Sequence, residues 1–302
     1  MAVWVSREPE DAGQQLQVGY HHTIRAALSN DAGAIWTTDL LRIADAGLED
    51  ADRQTGSPNE VGQPLVACSR TAEGGRRWLI TWVAEMSGPA GQNGGRGQGW
   101  YNFGRASTDD GAGWSAPLGI GGVDLYWENP ALAAGADGVF VFAGTREDTF
   151  FRSQILTVDG AGLITASAQN ILGHQAPGRI KLSSNRNIEF VSSVLVGNNL
   201  EFLSDSVANH ALDWSPGGVA FWNFEPRALD CAPAPSETCL SVSPGGYNPT
   251  SLWIDRSIDG GETWSTQLLD TPPIQPSNLA VAAGGSSGSW LVFWRHGPAG
   301  IS

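Results

Sequence analysis

The sequence predicts an all-β protein, and three observations carry that prediction. Helical periodicity is almost absent, with only LLRIADAGLEDAD (40–52) reading as a helix. Short β-rich runs such as WLITWV, VFVFAG, IEFVSSVLV and WLVFW alternate with Gly, Asn, Asp and Ser clusters. One eight-residue turn pattern recurs along the chain. The 302 residues are 41% hydrophobic, which is enough for a packed core and excludes a disordered chain, and the 39 Gly and 13 Trp suit tight turns and sheet packing.

The turn pattern is Ser-x-Asp-x-Gly-x-Thr-Trp in SIDGGETW (257–264). STDDGAGW (107–114) repeats it with Gly113 in the Thr place, and SNDAGAIW (29–36) with Ile35 there. Steps of 50 residues back from Trp264 reach Trp214 in VANHALDW, then Ile164 in TVDGAGLI, then Trp114, so the two intermediate strings read as degenerate copies. The chemistry is that of a hairpin turn: Asp accepts turn amides, Gly takes a positive φ, Ser or Thr closes the turn, and Trp packs between sheets. Asp31, Asp109 and Asp259 are therefore expected to be structural and not catalytic.

These octapeptides resemble the Asp-box of the sialidase-like, BNR-repeat family, and the resemblance extends through the repeat across nearly the whole chain. It implies a single-domain β-propeller (1–302) of four-stranded blades, with the box turns on the face opposite the ligand. PLVACS (64–69), PALAAG (130–135) and NLAVAAG (278–284) read as innermost strands. RWLITWVAE, GVFVFAGTR and SWLVFWRHG follow as second strands, and HTIRAALS, WYNFGRAS, RSQILT, LEFLSDSV and SLWIDRS as the third strands that enter the turns. The last two candidates (278–295) lack third and fourth strands, whereas the first turn lacks first and second ones. Joining the N- and C-terminal strands in one blade closes a ring of five; six blades, with one built from residues 1–20, is the alternative.

Two long connections, 44–63 and 86–99, fall on the face away from the turns, where long ordered loops are a functional hint. The same face receives Glu60, Glu128, Asn129 and Arg179 from starts of first strands. Ends of second strands add Glu85, Arg146, Arg295 and His296, and starts of third strands add Tyr20, His21, Trp100 and Tyr101. Carboxylates, arginines and aromatics in a funnel suit a sugar: rings cover its apolar side, and charged groups bind hydroxyls or a carboxylate. The resemblance implies Arg146, Arg179 and Arg295 as anion-binding arginines, and Tyr101 or Tyr126 with Glu85 or Glu128 as the nucleophilic pair. The Arg-Ile-Pro signature of that family is missing; the nearest string is Arg179-Ile180-Lys181. Two-carboxylate hydrolysis by Glu60, Glu85 or Glu128, a non-catalytic lectin, and a protein-interaction scaffold all stay open. The unlike starts of the first strands argue for one asymmetric glycan site over a repeated lectin site.

A net charge of −14 argues against nucleic-acid or anionic-membrane partners, and no apolar run approaches a spanning helix. The expected partner is a glycan or small carbohydrate, with the protein a monomer. Neither a metal cluster nor a phosphate-binding glycine motif is present, so no metal and no cofactor are expected: His21 and His22 point to opposite sides of a strand, and Asp45, Asp50 and Asp52 do not match a calcium loop. Residues 1–15 carry no signal-peptide pattern, so such a segment is expected to be absent or already removed. Cys231 and Cys239 bracket a Pro-rich loop and are placed to pair in an oxidising compartment, which points to a secreted or periplasmic protein, while Cys68 reads as a small core residue.

Overall fold

A computed structural model of the chain describes residues 1–9, 20–29, 34–37, 41–45, 61–87, 98–120, 128–145, 150–168, 170–175, 181–185, 189–196, 199–206, 215–220, 228–244, 251–271, 276–284 and 288–296. The described elements are all strands, in six sheets. The first sheet is β1 (Ala2–Pro9), β2 (Tyr20–Ala27) and β3 (Leu41–Asp45), and the second is β4 (Val61–Arg70), β5 (Arg76–Ser87), β6 (Gln98–Ser107) and β7 (Leu118–Ile120). The third runs β8 (Glu128–Ala134), β9 (Val139–Thr145), β10 (Phe150–Val158) and β11 (Ile164–Ala166), with β12 (Asn170–Gln175) also paired to β10. The fourth is β13 (Lys181–Ser184), β14 (Glu189–Val196), β15 (Asn199–Ser206) and β16 (Ser215–Ala220). The fifth is β17 (Ala228–Cys231), β18 (Cys239–Pro244), β19 (Leu252–Ser257) and β20 (Ser265–Asp270), and the sixth is β21 (Pro276–Gly284) with β22 (Ser289–His296).

Two expectations are corrected here. The segment read as a helix enters as strand β3 over Leu41–Asp45, where Arg42 and Leu41 pair with Arg25 and Ala26; residues 46–52 lie outside the described ones. Pairing against β2 overrides a weak local helical pattern, because helix propensity is only a prior. The C-terminal pair does not complete the N-terminal sheet beside β2, because β1 holds that place from Ala2↔Ala27 to Pro9↔Tyr20 and β3 holds the other edge. The alternation of Val3 and Val5 about Trp4 was the strand signal in residues 1–9.

Burial grades across each sheet. Strand β9 is buried along nearly its whole length, as a near-continuous apolar run packed on both faces must be, whereas β20 is exposed throughout. The chain divides into two compact units, Met1–Cys68 with Gly75–Trp127 and Val158–Ala166, and Ser69–Gly74 with Glu128–Thr157 and Ser167–Ser302. In the first, Ile24 and Ala26 pack with Ile80 and Trp82, and Met1, Val3, Val66, Phe103 and Trp114 close around them. Trp82 and Phe103 stack with centroids 5.9 Å apart. Trp114 thus packs between two sheets as expected. Its counterpart Trp36 does not, being 43% exposed.

In the second unit, Leu240, Val242 and Leu252 pack against Leu279, Val281, Trp290, Val292 and Trp294. Side-chain bonds link the leading strands of successive sheets. Ser69 Oγ donates to Gly135 O (2.7 Å) and accepts the Gly138 amide (2.8 Å), and Ser184 Oγ donates to Ala134 O. Ser183 Oγ donates to Asp230 (2.8 Å) and accepts the Cys231 amide (3.0 Å), and Asp230 also accepts the Ala283 amide (2.9 Å). Cys231 and Cys239, register partners on β17 and β18, form a disulfide against which Trp264 packs. Cys68 is half-buried on β4.

Candidate functional site

The octapeptide turns at 107–114 and 257–264 each close one end of their own sheet. Ser107 Oγ donates to Asp109 Oδ1 (2.7 Å) and accepts the Gly111 amide (2.9 Å), while Asp109 Oδ1 also accepts the Gly113 amide (2.8 Å). The second copy repeats this: Ser257 Oγ donates to Asp259 Oδ1 (2.7 Å) and accepts the Gly261 amide (2.8 Å), and the Thr263 amide donates to Asp259 Oδ1 (2.9 Å). The Thr263 hydroxyl adds a bond to Asp259, and Trp264 Nε1 donates to Gly261 O (2.9 Å). In the degenerate copy, Asp159 still accepts the amides of Ala161 and Leu163, each at 2.9 Å. Gly111 (φ 88°) and Gly261 (φ 97°) take the left-handed conformation the motif assigns to them, preceded by Asp110 (φ 58°) and Gly260 (φ 71°).

These bonds set the electrostatics of the turns. The Gly113 amide and the Ser107 hydroxyl hold the Asp109 carboxyl below its usual range. At Asp259 burial pushes upward, but the hydroxyl and amide of Thr263 and the hydroxyl of Ser257 outweigh it, and the net shift is downward. Both carboxylates are ionised acceptors for their own turn. Asp31 and the copy at 207–214 lie outside the described residues. Beside the first copy, the Leu28 amide donates to Thr37 Oγ1 (3.0 Å), as the Ala106 amide does to Ser115 Oγ (3.0 Å), whereas Ser265 Oγ donates to Arg256 O (3.2 Å). A hydroxyl residue directly after the Trp, bonded to the strand that enters the turn, recurs in the sequence as Thr37, Ser115 and Ser265.

Several of the expected site residues stand at strand ends, each within its own sheet. Trp100 and Tyr101 stand near the start of β6, whose other end enters the 107–114 turn, and they pair in register with Glu85 and Ala84 of β5. Glu128 begins β8 and pairs with Thr145, at the end of the third sheet away from the 157–164 turn. Tyr20 and His21 begin β2, paired with Pro9 and Glu8, and Arg295 pairs with Ser277 near the end of β22. Glu60, Arg146 and Arg179 lie outside the described residues, as do 46–60 and 88–97 of the two long connections.

Two charged groups that no motif marks are buried among the described residues. Arg152 is 6% exposed on β10 and pairs with Gly144, one row inward from Glu128 and Thr145 at the same end of the third sheet. A charged residue inside the strand FFRSQILTV was the available signal. Asp255, 2% exposed on β19, accepts the Thr266 hydroxyl at 2.6 Å. Burial pushes its carboxyl up to about 6, against the lowering effect of that bond. Asp255 pairs with Ser241, and the Oγ atoms of Ser241 and of Ser243 are buried without a hydrogen-bond partner.

Together these features define a propeller-like all-β fold of four-stranded antiparallel sheets. No protein-family model matches the chain, and no curated protein matches it in sequence. Among solved structures it is similar to the intramolecular trans-sialidase from Ruminococcus gnavus in complex with oseltamivir carboxylate (TM-score 0.55, 10% identity, 97% of this chain and 86% of that one). It is also similar to the leech intramolecular trans-sialidase with 2,7-anhydro-Neu5Ac (TM-score 0.54, 10% identity, 97% and 62%). A third similar structure is the SapL1 lectin with alpha methyl fucoside (TM-score 0.49, 13% identity, 98% and 88%). The chain spans 58% and 62% of the length of two of the sialidases it is similar to. At these identities the likeness concerns the fold alone.

Proposed function

We propose that the protein is a secreted Asp-box propeller that recognises a carbohydrate at a single site on the face away from its octapeptide turns. The observation that carries this reading is the polarity of the second sheet: the 107–114 turn sits at one end, and the strand positions of Glu85, Trp100 and Tyr101 sit in paired register at the other. In this reading Glu85, Glu128 and Tyr101 serve hydrolysis, while Arg146, Arg179, Arg295, Glu60, Trp100, Tyr20 and His21 hold the sugar. Arg152 adds a guanidinium group at the Glu128 end of the third sheet.

Residues 1–302 form one domain in this proposal, with six blades rather than five, because β1 supplies the N-terminal sheet with its own strand beside β2. The Cys231–Cys239 disulfide supports an oxidising compartment. The test is a glycan array combined with hydrolysis of sialyl and arabinofuranosyl reporters. Turnover abolished in Glu85→Gln or Glu128→Gln assigns a glycoside hydrolase, and binding without turnover assigns a lectin. Neither binding nor turnover overturns the carbohydrate reading in favour of a protein-interaction scaffold.

A further inference from the structure

The fifth sheet carries a polar group that the glycan reading does not use. Strand alternation puts Ser241 and Ser243 of β18 on the same face as Asp255 of β19 and Thr266 of β20, and the register Ser241↔Asp255↔Thr266 makes three of them direct cross-strand neighbours. Ser241 and Ser243 are both 0% exposed, and neither hydroxyl has a hydrogen-bond partner. A buried hydroxyl left unpaired costs about 1–3 kcal/mol, so two on one face next to a buried carboxyl call for a ligand between them.

We propose that this face of the fifth sheet binds a hard monovalent cation of the sodium class, coordinated by oxygens of Asp255, Ser241 and Ser243, with the Thr266 hydroxyl orienting the carboxyl. Each donor is an oxygen, which selects a hard ion over a soft one. One carboxylate supplies one negative charge, which matches a single positive charge. Arg256 cannot supply it: it alternates to the other face and is exposed. Geometry permits the site. Directly opposed residues have Cβ atoms about 5 Å apart and diagonal ones about 7 Å, so a central ion lies within reach of a carboxylate and two hydroxyls. A water molecule would satisfy the serines but bring no positive charge to the carboxyl of Asp255, which is 2% exposed.

The test is thermal unfolding of the full chain at pH 7.5, with choline chloride replaced stepwise by sodium chloride at constant ionic strength. Choline is too large for the site and keeps general screening unchanged. A ligand that binds only the folded state raises Tm by mass action, here by about 2–4 °C near saturation. The rise should disappear in Asp255→Asn. The Ser241→Ala, Ser243→Ala double variant provides a second readout through its sign: removing unpaired hydroxyls should raise Tm in choline, whereas removing ligands should lower it in sodium. Equal Tm of the native chain in the two salts leaves a solvent-filled gap only and overturns the proposal. So does a sodium-dependent rise that survives in both variants, since the ion then binds elsewhere.

Discussion

Asp230 accepts the Ser183 hydroxyl with one carboxylate oxygen (2.8 Å) while its other oxygen accepts the Ala283 amide (2.9 Å), so one side chain on β17 ties together β13, β17 and β21. These strands belong to three different sheets, and the bond holds them where backbone ladders do not reach. Asp230→Ala should lower stability by about 2–3 kcal/mol, since it removes two side-chain bonds at once. Urea unfolding should show the loss as a lower midpoint at unchanged slope; an unchanged midpoint would remove Asp230 from this role.

Gly111 tests the turn geometry. Its φ is 88°, and a Cβ there would lie 2.8 Å from Leu28 Cδ1 and 3.2 Å from Met1 Cε. Gly111→Ala is expected to cost about 1–3 kcal/mol through backbone strain and crowding. Gly119→Ala, where nothing stands within 4 Å, should be nearly neutral and is the control in the same denaturant series.

Asp255 makes stability depend on pH in a defined direction. Its carboxyl rises from 3.8 to about 6 on folding, so the folded state holds a proton that the unfolded chain has released. Stability should therefore fall as pH rises from about 4 to about 6, by about 3 kcal/mol in choline buffer. Asp255→Asn should flatten this segment of the profile. A native-like slope in the variant would show that another group titrates there.

Asp109 and Asp259 act with the opposite sign. Their carboxyls are lowered from 3.8 in the folded protein, so their contribution is complete above that value and is lost as pH falls below it. Acid unfolding of Asp259→Asn compared with the native chain should show a shallower loss below pH 4, read by far-UV circular dichroism.

Reduction of the Cys231–Cys239 disulfide, whose two cysteines are buried and close a short loop, should cost about 2–3 kcal/mol. The Cys231→Ser, Cys239→Ser variant should lose a similar amount and become insensitive to reductant, and Trp264, which packs on the disulfide, should report the change in fluorescence.

Most strands were readable because the period-two pattern and the turn chemistry are local. WLITWV, VFVFAG and WLVFW sit inside β5, β9 and β22, and the Asp, Gly and Thr positions of SIDGGETW do what their chemistry requires. Leu41–Asp45 was misread because its strand state comes from pairing with β2, a partner the local pattern cannot see. The turn motif places Trp36 between sheets as it does Trp114, yet Trp36 is 43% exposed, because burial depends on which sheet faces the residue.

The candidate site divides along the same line. Glu85, Trp100, Tyr101 and Glu128 could be assigned to strand ends from the repeat, because a strand's direction follows from the turn it enters. Arg152 and Asp255 could not, because each looks like an ordinary charged residue in a strand until its neighbours bury it.

By itself the sequence determined most of the β-rich segments, the octapeptide turns and the direction of the strands that enter them, since each rests on contacts within about ten residues. Only the tertiary structure decided that β1 flanks β2, that Asp230 joins three sheets and that Ser241, Ser243 and Asp255 share a buried face. Those outcomes depend on desolvation and on partners from other strands or distant segments, and no local pattern encodes them.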